Sequence, residues 1–294
     1  MTPALRVDED TDLKAFFRRR LPEWKPSTLR QRLAHGLVFL DGEAVFRGDV
    51  RLAIGQEVRI LSRPADPNRF FPTDLGKPPL DILYADSALV AVDKPSGLLS
   101  VASEREKNCT AIRLMRDWLV GLRRREDGVL HAAHRLDRDA SGVLLFARSL
   151  DVRRRLAAEW HNFDKTYLAV VDGVPSASEG SIDLPLREDR ALFVRGAENG
   201  GGTAALTHYR LIRRSGCRSL LEVRLDTGRK HQIRVHLAHI GCPVAGDRRY
   251  GVSKAPRLAL HAGELRLSHP DDGRELIIRA RTPEFFNRLL KGRT

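Results

Sequence analysis

The chain has 294 residues, 42% hydrophobic and 30% charged, enough for two domains and a substantial core. Lys and Arg number 51 against 38 Asp and Glu, a formal charge of +13, which favours a polyanionic partner: nucleic acid first, an anionic membrane surface second. Cys109, Cys217 and Cys242 form no CxxC pair, and the chain carries neither an N-terminal apolar signal core nor a long apolar run; a disulfide framework, a cysteine zinc site, secretion and membrane spanning are therefore all disfavoured, and a cytoplasmic location is expected.

Residues 1–62 read as a small α+β module. Asp10 or Thr11 can cap a first helix whose Leu13, Phe16 and Phe17 share one apolar face and whose end, Arg18-Arg19-Arg20, places cations at the negative end of the helix dipole. Pro26-Ser27 opens a second helix with Leu29 and Leu33 inward and Arg30 and Arg32 outward, closed by Gly36. Val38–Leu40 runs into Asp41-Gly42, a hairpin turn signal, and Gly55–Ile60 alternates like a half-buried strand. Two helices, short strands and an arginine-rich helix surface resemble the S4 RNA-binding domain.

Residues 63–79 carry Pro64, Pro67, Pro72, Pro78 and Pro79 and read as an extended linker. A second domain then occupies 80–294. Strands are expected at Ile82–Tyr84, Leu89–Val92, Val143–Ala147, Lys165–Val171, Leu206–Ile212, Leu220–Leu225, Leu258–Leu267 and Glu275–Ile278, the pair beginning at Leu206 and Leu220 adjacent and antiparallel. Helices are expected over 110–124, with Ile112, Met115, Leu119 and Leu122 buried, over Leu150–Trp160, from Thr227 to Ile240, and over Glu284–Leu290. Gly200-Gly201-Gly202 is a loop that does not fit a dinucleotide-binding pattern, so no cofactor is expected. Strands outnumber helices without alternating with them, which points to an α+β fold: a mixed, largely antiparallel sheet flanked by helices.

Several groups of residues could carry chemistry. His131 with His134, and His231 with His236 and His239, have weak metal-ligand spacing, but no HExxH pattern and no cysteine pair completes a site, so no metal is expected. Ser141 lacks a G-x-S-x-G elbow and is a poor nucleophile candidate. In His134-Arg135-Leu136-Asp137-Arg138-Asp139-Ala140-Ser141-Gly142 a polar turn precedes a strand covered on both faces, and Asp137 between two arginines is either a surface ion pair or a functional carboxylate. In Thr227–Gly241, a helix opened by Thr-Gly would leave backbone N–H groups for phosphate, with Arg229, Lys230 and His231 beside them; Arg234, off the apolar face, could pair with a carboxylate and keep it ionised.

These stretches, together with Asp93-Lys94-Pro95-Ser96-Gly97, Lys165-Thr166-Tyr167, Gly246–Gly251 and Leu260-His261-Ala262, occur in the order seen in RluA-type RNA pseudouridine synthases, and the resemblance covers 80–294. It implies the pseudouridine synthase fold and assigns roles. Asp137 matches the catalytic aspartate that attacks the target uridine, Arg135 the arginine that displaces the base, Tyr167 the tyrosine that packs on the uracil, and Arg234 the basic residue that pairs with the aspartate. Arg138, Arg229, Lys230 and His231 are expected to face the RNA. Ala140 stands where the family usually has Thr, with at most a modest effect on turn rigidity expected.

The implied reaction breaks the N1–C1′ bond of a uridine, turns the ring and joins C5 to C1′, with no redox change. The expected partner is RNA, ribosomal RNA favoured and transfer RNA the alternative, acted on by a monomer with no membrane association. The rival reading is a non-catalytic RNA-binding or ribosome-assembly factor.

Overall fold

The computed structural model describes residues 4–24, 26–34, 38–45, 47–60, 78–104, 106–122, 129–197, 201–252 and 255–292. The chain forms two compact units, Met1–Asp139 with Leu144–Leu150, and Ala140–Val143 with Asp151–Thr294. The linker expected at 63–79 falls outside the described residues up to 77, as do Gly36 and Gly200.

The first unit begins with β1 (Leu5–Arg6), β2 (Thr11–Asp12), α1 (Leu13–Arg20), α2 (Pro26–Ala34), β3 (Val38–Leu40), β4 (Glu43–Ala44), β5 (Arg51–Leu52) and β6 (Glu57–Ile60). The sheet order is β1-β6-β3-β4, all antiparallel, with β2 pairing β5 separately. Leu13, Phe16, Phe17, Leu29, Leu33, Val38, Val58 and Ile60 share one core, as their spacing predicts. Asp41 and Gly42 both take positive φ (48° and 82°), the geometry a two-residue hairpin between twisted strands needs. The cap of α1 is neither Asp10 nor Thr11. Thr11 and Asp12 pair with β5, so the chain enters the helix later and the Asp12 carboxylate accepts from the Ala15 amide at 2.8 Å.

The same unit continues with β7 (Ile82–Ala85), β8 (Leu89–Lys94), α3 (Ala111–Leu122) and β9 (His131–Ala132). β7 pairs antiparallel with β8, and β9 with the end of β10 (Ser141–Ala147), where Phe146 faces Ala132. All seven residues of β10 are buried, so the expected doubly covered strand is present and starts two residues early, at Ser141. Met115 of α3 is fully buried, and Ile112 and Leu119 are half-buried.

The second unit takes the start of β10, then α4 (Leu150–Glu159), β11 (Asp164–Asp172), β12 (Glu179–Asp183), β13 (Leu186–Glu188), β14 (Val194–Gly196), β15 (Leu206–Ser215), β16 (Arg218–Leu225), α5 (Gln232–His239), β17 (Leu260–Ser268), β18 (Glu275–Arg279) and α6 (Glu284–Leu290). Its strand order is β12-β15-β16-β11-β17 with antiparallel neighbours; β18 pairs β17, and β13 and β14 form a separate hairpin. β15 and β16 are antiparallel neighbours, as expected. Ser141 and Gly142 pair with His261 and Ala262 of β17 in parallel, which makes the sheet mixed. β12, β13 and β14 were not foreseen. No described helix is long and apolar enough to cross a membrane.

Candidate active site

The loop from His134 to Ala140 is held on both sides of Asp137. Before it, the Leu136 amide donates to Ser100 Oγ and the Ser100 hydroxyl donates to the Leu136 carbonyl, each at 3.0 Å. After it, the Arg138 carbonyl accepts from the Gly97 amide at 2.8 Å and from Lys94 Nζ at 3.1 Å. Lys94 is fully buried and also donates to the carbonyls of Pro95 and Leu98, so its ammonium ties the Lys94–Leu98 turn to the catalytic-candidate loop. Ser96 Oγ adds a bond to the Asp139 carbonyl at 2.6 Å. Backbone groups pinned this way cannot swing, so the half-buried Asp137 is presented in a set position while Arg135 and Arg138 stay exposed. Ala140 is buried, and the contacts from Ser96 and Lys94 hold the turn without a hydroxyl there.

Arg47, from the N-terminal module, also reaches this loop. Its Nη1 donates to both Asp139 carboxylate oxygens, at 2.7 and 2.6 Å, while Nε donates to Asp49 at 2.8 Å. Nothing in the local sequence marks Arg47, because its partner lies 92 residues away.

In the second unit, Ser141 Oγ and His261 Nδ1 are 2.9 Å apart, and both side chains are buried. Burial, with Arg257 nearby, pushes the His261 imidazole down to about 4, so it is neutral near pH 7. This pair fastens β10 to β17. Gly142, at φ 110°, sits so close to the Ala262 carbonyl that a Cβ there would overlap it. On the opposite edge of β17, Ala262 faces Tyr167 of β11, and the register slips at Gly263. Such a bulge re-aims side chains beside functional sites. Tyr167 is half-buried, whereas Lys165 turns inward to donate to the Trp160 carbonyl, and burial pushes its pKa down.

The helix expected from Thr227 starts five residues later, at Gln232, because His231 adopts a left-handed conformation (φ 55°) that no helix can continue through. Thr227–Lys230 is a loop, and the Arg229 amide, proposed for phosphate at a helix terminus, donates to Gln232 Oε1 instead. Arg229 Nε meets the Ala204 carbonyl, Lys230 pairs with Glu188, and His231 Nδ1 lies 2.8 Å from the Tyr250 hydroxyl.

α5 is buried from Gln232 through Leu237, not amphipathic, because each polar member has an internal partner. Gln232 donates to Leu206 and Thr207, His236 Nε2 lies 3.0 Å from the Leu184 carbonyl, and Arg234 meets Asp247 through two bonds, Nε at 2.7 Å and Nη2 at 2.8 Å. Burial alone would raise the Asp247 carboxyl; the Arg234 guanidinium and the amides of Arg249 and Tyr250 outweigh it and hold the group below the usual carboxylate range. The Arg234 guanidinium also lies 5.1 Å from the Tyr250 ring centroid. Among the described residues no three His, Cys, Asp or Glu side chains gather as metal ligands.

Arg135, Asp137 and Arg138 thus share one braced loop of the first unit; Tyr167, Arg229, Lys230, His231 and Arg234 belong to the second. Sequence reasoning had no role for Lys94, Ser100, Arg47 or Asp247. Lys94 and Asp247 sit in stretches whose family resemblance was visible, but their partners were not.

The chain has counterparts among known proteins. Residues 88–239 match the model of the RNA pseudouridylate synthase family. The chain is 35% identical over 289 residues to a ribosomal large subunit pseudouridine synthase D of Xanthomonas campestris, covering 92% of this chain and 85% of that protein. It is 36% identical to an uncharacterized RNA pseudouridine synthase of Mycobacterium bovis, covering 87% and 86%. Among solved structures, human RNA Pseudouridylate Synthase Domain Containing 4 superposes with a TM-score of 0.61 at 25% identity, over 72% of this chain and 92% of that one. The family model matching over half of the chain, together with relatives at 35% and 36% identity that it covers to more than four fifths, makes this chain a member of the RNA pseudouridylate synthase family, an enzyme that isomerises uridine in RNA.

Proposed function

We propose that this enzyme acts on ribosomal RNA, with Asp137 as its nucleophile. The observation that carries the assignment is the bracing of Leu136 and Arg138, which fixes the backbone on either side of the intervening carboxylate. Asp137 attacks the uridine and the N1–C1′ bond breaks; the freed uracil turns, C5 bonds to C1′ as the temporary bond to Asp137 is released and its carboxylate restored, and the C5 proton leaves while N1 gains one. Substrate and product are isomers, the proton lost at C5 being balanced by the one gained at N1, so the chemistry calls for no redox partner.

The remaining roles follow from exposure and chemistry. Arg135, exposed beside Asp137, takes the place of the displaced base, offsetting an unstacking cost of a few kcal/mol. Tyr167 packs on the uracil. Arg234, oriented by Asp247, supplies the cation that the family resemblance assigns to the catalytic carboxylate. Arg138, Arg229, Lys230 and His231 face the RNA, and residues 1–62 act as an S4-like RNA-binding module with a core of their own.

Ribosomal RNA is favoured because the Xanthomonas campestris relative is named for the large ribosomal subunit. The test is tritium release from an unmodified large-subunit ribosomal RNA transcript labelled at uridine C5. Asp137→Asn should abolish release and leave RNA affinity within about twofold, a change of under 1 kcal/mol. Residual turnover in that variant would remove Asp137 from the mechanism; release from transfer RNA alone would redirect the substrate assignment.

A further inference from the structure

The β13–β14 hairpin carries features that the assigned chemistry does not use. Its root is buried: Leu186 and Val194 pack with Ala205 and with Val235 of α5. Its tip is rigid. Asp189 Oδ1 accepts from the amides of Ala191 and Phe193, the Asp189 amide donates to the Phe193 carbonyl, and the Leu192 amide donates to the Asp189 carbonyl, all at 2.9 Å. At the top of this frame Leu192 has φ 60° and is 62% exposed. A leucine in the left-handed region is strained, and an exposed one gains no burial to offset the strain. Glycine or asparagine would suit the turn better.

Charge surrounds that leucine. Arg187 and Arg195 are direct cross-strand partners, like charges that disfavour a hairpin, and the nearby Asp189 carboxylate meets Arg195 only in a long, solvent-exposed pair of 3.5 Å. Arg195 and Arg249 approach the half-buried Phe193 ring at 4.6 and 5.2 Å from its centroid, and Phe193 in turn meets Tyr250 edge-on at 4.9 Å. Through Tyr250 the hairpin is anchored to Arg234 and His231. A stiff, arginine-flanked apolar tip fits a polyanion with stacked bases. It does not fit an acidic peptide, which would offer the leucine nothing to part.

We propose that this hairpin is a second RNA-contacting element, in which Arg187 and Arg195 take a backbone phosphate and Leu192 inserts as a wedge between stacked bases of the bound RNA. The inference rests on the reading of this chain as an enzyme of ribosomal RNA. Apolar side chains are used as wedges to unstack base steps elsewhere in nucleic-acid recognition. Here the wedge would hold open a step other than the one Arg135 fills.

The test uses the full chain and the same C5-tritiated large-subunit ribosomal RNA transcript. Leu192→Gly suits the positive φ, so the variant should fold with an unchanged or higher Tm. It should nonetheless raise KM about tenfold, the loss expected from one stacking contact. Arg187→Ser with Arg195→Ser should lower the slope of log affinity against log salt by about 1 to 2. Chemical probing of bases in the Asp137→Asn complex should reveal an opened step that closes again when Leu192→Gly is added. An active wild-type enzyme whose Leu192→Gly variant keeps KM within twofold and leaves the probing pattern unchanged overturns the wedge. A wild-type chain that forms no pseudouridine yet opens a Leu192-dependent step would sink the substrate reading and leave the wedge standing.

Discussion

Arg234 grips Asp247 along one edge of its guanidinium, with parallel bonds of 2.7 and 2.8 Å, and the two side chains are 9% and 0% exposed. A pair this deep is worth little over an apolar replacement but a great deal against loss of one member, since the survivor is left charged and buried. Asp247→Asn and Arg234→Ala should each lower the unfolding free energy by about 3–5 kcal/mol, read by urea denaturation. In whatever fraction stays folded, Arg234→Ala should depress kcat and spare RNA affinity. Arg234→Lys should not restore it, because an ammonium cannot make two parallel bonds.

Lys94 is a fully buried cation of the first unit, and its ammonium donates to the carbonyls of Pro95, Leu98 and Arg138. Lys94→Met keeps the length and removes the donors. The expected loss is about 2–5 kcal/mol of stability, from acceptors left short of a partner. The kcat should fall further than stability explains, because the Arg138 carbonyl adjoins Asp137. A Lys94→Met enzyme with normal kcat would separate the brace from catalysis.

Acid should weaken the fold through His261. Its folded pKa of about 4 lies below the 6.5 of an unperturbed histidine, so between those values the unfolded chain binds the extra proton. The contribution is fully present above about pH 6.5 and is lost as pH falls towards 4, by at most about 3 kcal/mol. Asp247, held low by Arg234, adds a loss of the same sign further into the acid range. His261→Asn, which does not titrate, should flatten the curve of unfolding free energy between pH 6.5 and 4.

The Arg47–Asp139 pair joins the N-terminal module to the Asp137 loop, and its members are 26% and 31% exposed. A double-mutant cycle with Arg47→Ala and Asp139→Ala should return a coupling of about 0.5–2 kcal/mol, shrinking in 1 M salt. Zero coupling at low salt would show that the contact holds nothing.

Local pattern accounts for much of the fold. The continuous apolar run Val143–Ala147 reads as a doubly covered strand and is one; α6 lies where its spacing puts it; Asp41-Gly42 makes the hairpin its φ values require. The short β13 and β14 escaped notice because three residues carry no usable period, and Leu186 and Val194 are buried by α5 from far along the chain. The start of α5 was misjudged for a related reason: Thr227-Gly228 has the composition of a cap, while the left-handed His231, whose Nδ1 lies within hydrogen-bond reach of Tyr250, governs where the helix begins.

The sequence by itself determined which residue types stand at the proposed reactive positions, and through their order the family. Carboxylate, aromatic and cation are chemical identities, and a chain displays them directly. Only the tertiary structure decided what holds them. Lys94 against Arg138, Ser141 against His261 and Arg234 against Asp247 join residues 44, 120 and 13 positions apart. Hydrogen bonds of that kind depend on backbone placement to within a few tenths of an ångström. No local propensity encodes such a distance; it exists only once the strands have found their register and the core has closed.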